Sequence, residues 1–352
     1  MPTAAHINRI GTAVPENEVH ALFVGWARAR LEGTREAALF DRMADRSGIK
    51  RRWSVLPSLA GSTALDAGGF FHDESPRTGA RMAIYAEEAP RLALKAIGAL
   101  GELGPITHLV VASCTGFIAP GIDQIIVAAL GLGAHVERSL VGFMGCYAAI
   151  VALRQAHHIV RSEPQARVLV VTVELCTLHL QQTLAVDELL AMLQFGDGAA
   201  AAIVSAEETG LAITRVFAAA LPDSAEMIRW RIGDNGFVMN LSGAVPNRIA
   251  AALRDPEIGA TVTGGAPAET IDHWAVHAGG RSVLDAVERA LDLPGDALRH
   301  SRDVLADNGN ISSSTLMFVL ARLLAERATG SGVAVAFGPG LTAEGLGFEA
   351  AA

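Results

Sequence analysis

The chain has 352 residues, is 51% hydrophobic and carries a formal net charge of −9, from 28 Lys and Arg against 37 Asp and Glu. There is ample material for a large core, and the acidic balance argues against general nucleic-acid binding, which needs a basic face. Three widely spaced cysteines, Cys114, Cys146 and Cys176, make neither a disulfide framework nor a zinc site, so a reducing cytoplasm is the expected compartment. No secretory signal and no membrane-spanning stretch are expected either.

In chain order, residues 5–14 read as a strand ended by Pro15, and a helical stretch follows to about Asp45. Three consecutive cations, Lys50, Arg51 and Arg52, come next on an otherwise acidic chain. Residues 54–80, rich in Gly, Ser, Pro and Asp, predict a long surface excursion, and 82–100 an alanine-dense helix. The continuous apolar run 108–114, bounded by Pro105 and Gly116, predicts a strand buried on both faces. A helix over 121–130 and a strand near 137–141 lead to the turn Gly142-Phe143-Met144-Gly145-Cys146. A helix opened by Cys146 runs to about Val160 or Arg161, then a buried strand over 167–173 and a turn and small-residue strand over 196–206.

The second half repeats the theme. Strands are expected at 211–219, as a pair within 232–241, and at 271–277, ending in His277. Val283, Leu284, Val287 and Leu291 space an amphipathic helix over 281–291, a second helix covers 316–327, and 332–337 is the closing strand before Gly338-Pro339-Gly340. Strands alternating with helices give a layered α/β fold, divided near residue 206 into halves 1–206 and 207–352. Solenoid-type repeats are absent.

Three polar positions interrupt apolar or Gly-rich surroundings. Cys146 stands at a helix N-terminus, where the dipole and unpaired N–H groups favour a thiolate nucleophile. The alternative is one more buried small apolar residue. His277 near the sulfur would hold the thiolate as an ion pair, and its Nε2–H with the Asn310 side-chain N–H would stabilise an oxyanion or enolate on a thioester carbonyl. A core histidine and a turn or cap asparagine are the plainer readings of these two. Asp197 reads as structural, bonding local N–H groups, and Cys114 as a small cavity-wall residue. Cys176 and His179 read as packing on a loop leading to the surface, and His157 and His158 need no special role.

The motifs together resemble the type III polyketide synthases, the chalcone-synthase-like branch of the thiolase superfamily. They are Ser113-Cys114-Thr115-Gly116-Phe117 with Pro120-Gly121, the Gly145-Cys146 elbow, Phe195-Gly196-Asp197-Gly198-Ala199, His277-Ala278-Gly279-Gly280, Gly309-Asn310-Ile311-Ser312-Ser313 and Gly338-Pro339-Gly340. The related ketoacyl-carrier-protein synthase III branch usually has an Asn-containing motif at its histidine and a triple glycine at the C-terminal loop.

The resemblance implies a five-layered αβαβα thiolase fold of two duplicated halves, working as a homodimer. It makes Cys146 the acyl-carrying nucleophile with His277 and Asn310 as partners. Phe195 falls at a gate between CoA tunnel and reaction cavity, Met239 at a second gate, and Cys114, Gly338, Pro339 and Gly340 along the substrate path. Ala119 stands where plant enzymes often carry a methionine reaching into the partner, which implies a weaker cross-dimer contact. Lys50, Arg51 and Arg52 are candidates for the CoA phosphates, the alternative being a solvated basic turn. Gly279 and Gly280 would let backbone pass close to the pantetheine arm. No metal or redox cofactor is implied, only CoA thioesters as substrates. The segment 228–242 is similar to bacterial alkylpyrone and alkylresorcinol synthases. A fatty acyl-CoA starter, malonyl-CoA extender, several condensations and an alkylpyrone or resorcinol product are therefore expected. The rivals are a single-condensation synthase, a Cys-His-Asn acyl hydrolase and a silent acyl-CoA-binding protein.

Overall fold

The computed structural model describes residues 3–350 except 57, 60–61, 67 and 73–74. The N-terminal part runs β1 (Ala5–Ala13), β2 (Asn17–Glu18), α1 (His20–Leu31), α2 (Ala37–Arg46), β3 (Trp53–Ser54), β4 (Ser58–Leu59), β5 (Ser62–Thr63), α3 (Thr78–Gly98), β6 (His108–Ser113), α4 (Ile122–Leu130) and β7 (Glu137–Gly142). It continues with α5 (Ala148–Ser162), β8 (Arg167–Leu175), α6 (Val186–Met192) and β9 (Asp197–Ser205). The C-terminal part runs β10 (Leu211–Ala220), β11 (Ile228–Gly233), β12 (Gly236–Leu241), α7 (Val245–Arg254), α8 (Pro256–Thr263), β13 (His273–Val276) and α9 (Arg281–Ala290). It ends with α10 (Arg299–Asn308), α11 (Ser314–Ala325), β14 (Gly330–Gly338) and β15 (Thr342–Ala350).

The strand order exposes a duplication. One part is ordered β1-β9-β8-β6-β7 and the other β10-β15-β14-β13. In both, the first two pairings are antiparallel and the third is parallel. A short antiparallel match of β1 with β10, from Ala5 opposite Ile213 to Ile7 opposite Leu211, joins them into one nine-stranded sheet.

Alternation along the strands sorts side chains into layers. Val110, Ala112, Val168 and Val170 face a central core shared with α5 and α11, while Leu109, Val111, Leu169 and Val171 face an outer core with α3 and α4. On the other sheet Ala334 and Ala336 face the centre, and Val333, Val335 and Phe337 face an outer core with α7 and α9. Helix, sheet, helix pair, sheet, helix is the five-layered order. Small residues dominate where the layers press closest. Ala148, Ala149, Ala152 and Ala156 of α5 are all fully buried, which lets that helix sit between two sheets. Truncating a fully buried Leu153 there to Ala carries a penalty of about 2–5 kcal/mol.

Several expectations are corrected. The helical stretch before Asp45 is two helices, separated by the turn at residues 32–36. The excursion over 54–80 is partly folded inward, with Leu56 and Phe71 buried, and α3 begins at Thr78. The strand at 332–337 does not close the sheet, because β15 follows it and lies between β14 and β10. Gly345 and Gly347 weaken the strand signal of β15. A Cβ on Gly345 would stand 2.1 Å from the Phe217 ring of β10, so the absent side chain is what admits that ring. Helices α6, α7, α8 and α10 add to the expected elements; α8 is marked in the sequence by Asp255 capping its first turn, Pro256 at its start and left-handed Gly264 at its end.

Candidate active site

β7 delivers the chain to a strained elbow in which Phe143 and Gly145 both take left-handed backbone angles (φ 58° and 69°). A side chain on Gly145 would meet the Pro339 ring at 2.4 Å. Cys146 follows in a single 3₁₀ turn, Gly145–Tyr147, from which α5 departs. The Gly338-Pro339-Gly340 loop of the other half closes over this turn: a Cβ on Gly338 would stand 3.3 Å from the Cys146 amide nitrogen, and the Tyr147 hydroxyl donates to the Pro339 carbonyl at 3.3 Å.

Asn310 enters from the opposite side. A parallel bridge ties it to Phe195: its amide donates to the Gln194 carbonyl at 2.8 Å and its carbonyl accepts from the Gly196 amide at 3.0 Å. The side chain is equally fixed, with Nδ2 donating to the Gly279 carbonyl at 3.3 Å and Oδ1 accepting from the Ser312 amide at 2.8 Å. The Ser312 hydroxyl then reaches both thiols, 3.8 Å from Cys146 Sγ and 3.2 Å from Cys114 Sγ. His277 extends β13, its amide donating to the Val335 carbonyl at 2.8 Å. The ring is buried, and neither nitrogen has a hydrogen-bond partner among the described residues. Gly279 lies against it, its Cβ position 3.5 Å from Nε2. Asn310 is linked to this imidazole through Gly279, whose carbonyl accepts from Asn310 Nδ2.

The electrostatics overturn one expectation. Burial pushes the Cys146 thiol up to about 12; the hydrogen bonds from Ser312 and Asn310 oppose this, while the charge of Glu174 adds to it. Burial alone pushes His277 down to about 3. At rest the site therefore holds a thiol and a neutral imidazole, not the thiolate–imidazolium pair expected from the helix start. Desolvation outweighs what one helix terminus and two hydrogen bonds supply. Burial likewise raises the thiols of Cys114 and Cys176, with the charge of Glu174 adding to it in both.

Sequence reasoning missed Glu174, Ser312 and Trp230. Glu174 is fully buried and accepts from the Cys114 amide at 3.0 Å, Cys114 Sγ at 3.3 Å, Thr115 Oγ1 at 2.8 Å and the Ser313 hydroxyl. Its signal was a lone carboxylate in the apolar run of β8. The Trp230 indole N–H donates to the Cys114 carbonyl at 3.1 Å.

An apolar cavity lies beside this centre, lined by Phe195, Met239, Cys176, His179, Phe71 and Phe237. A larger, more polar cleft on the other side of the β11–β12 hairpin reaches Pro339 and Gly340. Trp230, Val238 and Met239 belong to both walls. Cys176 and His179 are thus buried rather than on a loop leading to the surface. The ring of His179 stacks on Phe237 at 4.2 Å, bonds the Thr115 carbonyl and accepts from the Phe237 amide. Asp197 is structural, but it binds Val55 and Thr177 rather than immediate neighbours.

The three cations divide. Lys50 is exposed, and Arg51 is exposed and pairs with Asp307 at 2.8 Å. Arg52 is only 2% exposed and turns inward, so it is not available to a CoA phosphate. Arg281 lies close to this run in space, packing beside Gly48 and donating to the Arg46 carbonyl at 3.4 Å. It lies at the start of α9, directly after Gly279 and Gly280. Among the described residues no group of three or more His, Cys, Asp or Glu is placed to hold a metal, and no helix is long and apolar enough to cross a membrane.

Comparison with known proteins gives two family matches, chalcone and stilbene synthases, N-terminal domain, over residues 3–208, and the C-terminal domain of the same family over 212–351. The chain is 35% identical to the alpha-pyrone synthesis polyketide synthase-like Pks18 of Mycobacterium tuberculosis, over 76% of this chain and 72% of that one. It is 31% identical to a 1,3,6,8-tetrahydroxynaphthalene synthase of Streptomyces griseus, over 97% and 91%. Among solved structures, PKS-I of the brown alga Ectocarpus siliculosus superposes with a TM-score of 0.90 at 26% identity, covering 100% of this chain and 99% of that one. The tetrahydroxynaphthalene synthase of Streptomyces coelicolor A3(2) gives 0.88 at 27%, covering 99% of each.

Proposed function

The chain belongs to the chalcone and stilbene synthase family and is a type III polyketide synthase, and from that premise we propose that it primes Cys146 with a fatty acyl group from CoA. Malonyl-CoA then extends the chain over several rounds, and an alkylpyrone or resorcinol-type product is released. What supports this reading is that Asn310 hydrogen-bonds to Cys146 and to the Gly279 carbonyl, that Gly279 lies against a His277 ring without a hydrogen-bond partner among the described residues, and that an apolar cavity walled by Phe195 and Met239 lies alongside. The alpha-pyrone synthesis in the name of the Mycobacterium tuberculosis relative points to the same product class.

The chemistry follows from the neutral resting state. As Cys146 Sγ attacks the thioester carbonyl, its proton passes to His277, and the carbonyl electron pair moves onto oxygen. The His277 N–H and the Asn310 Nδ2–H receive that oxyanion, which collapses with loss of CoA. When malonyl-CoA binds, its C–CO2 bond breaks and the electron pair becomes a thioester enolate held by the same two donors. The enolate carbon attacks the acyl-Cys146 carbonyl, the new C–C bond forms, and the cysteine sulfur leaves. The extended chain returns to Cys146 for the next round. CoA thioesters supply everything these steps consume.

Lys50 and Arg51, joined by Arg281, form the rim proposed to meet the CoA phosphates, with Gly279 and Gly280 beside the pantetheine arm. Phe117, Leu140 and Phe143 are 62%, 49% and 54% exposed around one surface groove, which supports a second copy of the chain covering them. The working unit is accordingly a cytoplasmic homodimer, each subunit built from halves 1–206 and 207–352.

The test is incubation with labelled malonyl-CoA and acyl-CoA starters from hexanoyl to stearoyl, wild type beside Cys146→Ala. The proposal expects fatty-acyl pyrones or resorcinols whose masses count several extensions, all lost in the variant. Products with one extension, aromatic-starter products only, or free acid without malonyl carbon would overturn it.

A further inference from the structure

Arg52 is a buried cation that hydrogen-bonds to no carboxylate among the described residues. Its Nη1 donates to the Phe195 carbonyl at 2.6 Å and to the Met192 carbonyl at 3.0 Å. Its Nε faces His20 Nδ1 at 3.1 Å, and the guanidinium lies 4.8 Å over the Phe23 ring. Glu18 and Asp197 act on it only at longer range. The stem is as closely engaged as the head. Gly309, at φ 68°, passes directly over it, and a Cβ there would stand 2.8 Å from Arg52 Cγ and 3.0 Å from Cδ. Gly196 leaves room for the same side chain, its Cβ position 3.5 Å from Arg52 Cβ.

These contacts surround one short ladder. Phe195 and Asn310 face each other in the parallel bridge, Gly196 and Gly309 are their chain neighbours, and Arg52 touches Phe195, Gly196 and Gly309. We propose that Arg52 is a positioning residue for the condensation: its head fixes the carbonyl of Phe195 and its stem fixes the path of Gly309, so that the Asn310 side-chain N–H is held where the thioester oxyanion forms.

Nη1 alone meets both carbonyls while Nε engages His20, and Nη2 has no partner among the described residues; an ammonium can meet the carbonyls but not His20 as well, and a thioether offers no donor. A positive charge at the carbonyl end of α6 is also favourably placed, because those carbonyls have no partner within the helix. The inference rests on the reading of Asn310 as an oxyanion donor. It explains why the third cation of the run is turned away from solvent and from CoA.

The test compares Arg52→Met and Arg52→Lys with wild type by malonyl-CoA turnover, with active sites counted through alkylation of Cys146. Positioning predicts that kcat per active site falls about tenfold or more in Arg52→Met while KM for malonyl-CoA changes little, since a misplacement of about an ångström has that scale of effect. Arg52→Lys is expected to recover only a minor part. A merely structural role would lower the melting temperature and the number of active sites and leave kcat per site at the wild-type value; that result overturns the proposal. If Arg52→Met does not fold, the same kcat criterion is applied to Arg52→Lys. If wild type itself shows no malonyl turnover, it is the proposed function that has failed. Crystal structures of the variants then decide for Arg52: a broken Phe195–Asn310 bridge supports it and an intact one overturns it.

Discussion

The two halves share a strand order but send different chemistry into the layer between them. Helix α5 leaves the N-terminal half immediately after Cys146, and α11 leaves the C-terminal half immediately after Asn310-Ile311-Ser312-Ser313. Each start follows left-handed residues, Phe143 and Gly145 in one case and Gly309 and Ser312 in the other. The first start presents a single sulfur among alanines, and the second an amide and a row of hydroxyls. Neither half holds a complete centre. The two helix starts approach each other through Ser312 and Cys146, and on the proposed reading one supplies the nucleophile and the other its polar surroundings.

Removing the C-terminal contribution should have the largest effect. Asn310→Ala keeps the backbone bridge to Phe195 but deletes an oxyanion donor, so kcat for polyketide formation is expected to fall about 10²–10³-fold. Cys146 should still be alkylated by iodoacetamide. A variant with near-normal kcat would mean the second start has no part in the chemistry.

Trp230→Ala sharpens the comparison from the hairpin that crosses between the halves. It opens the wall shared by the apolar cavity and the polar cleft and removes the donor to the Cys114 carbonyl. Stability should fall by about 3 kcal/mol, read in denaturant, and products should shift toward longer chains. An unchanged product profile would show that the hairpin does not limit chain length.

Glu174→Gln probes the N-terminal side with a smaller effect. The carboxylate raises the Cys146 pKa, so its removal must lower it, and the alkylation midpoint should move down from about 12. The lower pKa leaves more thiolate at pH 8, so alkylation there should be faster than in wild type. A midpoint that stays or rises would mean that lost hydrogen bonds outweigh the lost charge.

Much of this was legible in the sequence. The runs at β6 and β8 are continuous and apolar because both faces of those strands are covered, and the small residues after Cys146 pointed to a buried helix. Cys146, His277 and Asn310 stood out as polar residues in apolar or Gly-rich surroundings. What stayed hidden depends on contacts between distant segments. No local pattern says that Arg52 points inward while Lys50 points outward, because the reason is the Phe195 carbonyl more than a hundred residues later. The protonation state was equally hidden: a helix start argues for a thiolate, and only the depth of burial shows that the thiol is favoured. Trp230 carried no signal, since its importance lies in separating two cavities that exist only once the hairpin is packed.

The central claim is that the acyl chain is carried on Cys146 at the meeting of the two helix starts. Intact-mass spectrometry after incubation with a fatty acyl-CoA alone, followed by peptide mapping, tests it most directly. The account predicts one acyl group per chain, mapped to Cys146 and lost on addition of malonyl-CoA as product appears. Acylation at Cys114 or Cys176, or none at any cysteine while products still form, would contradict it.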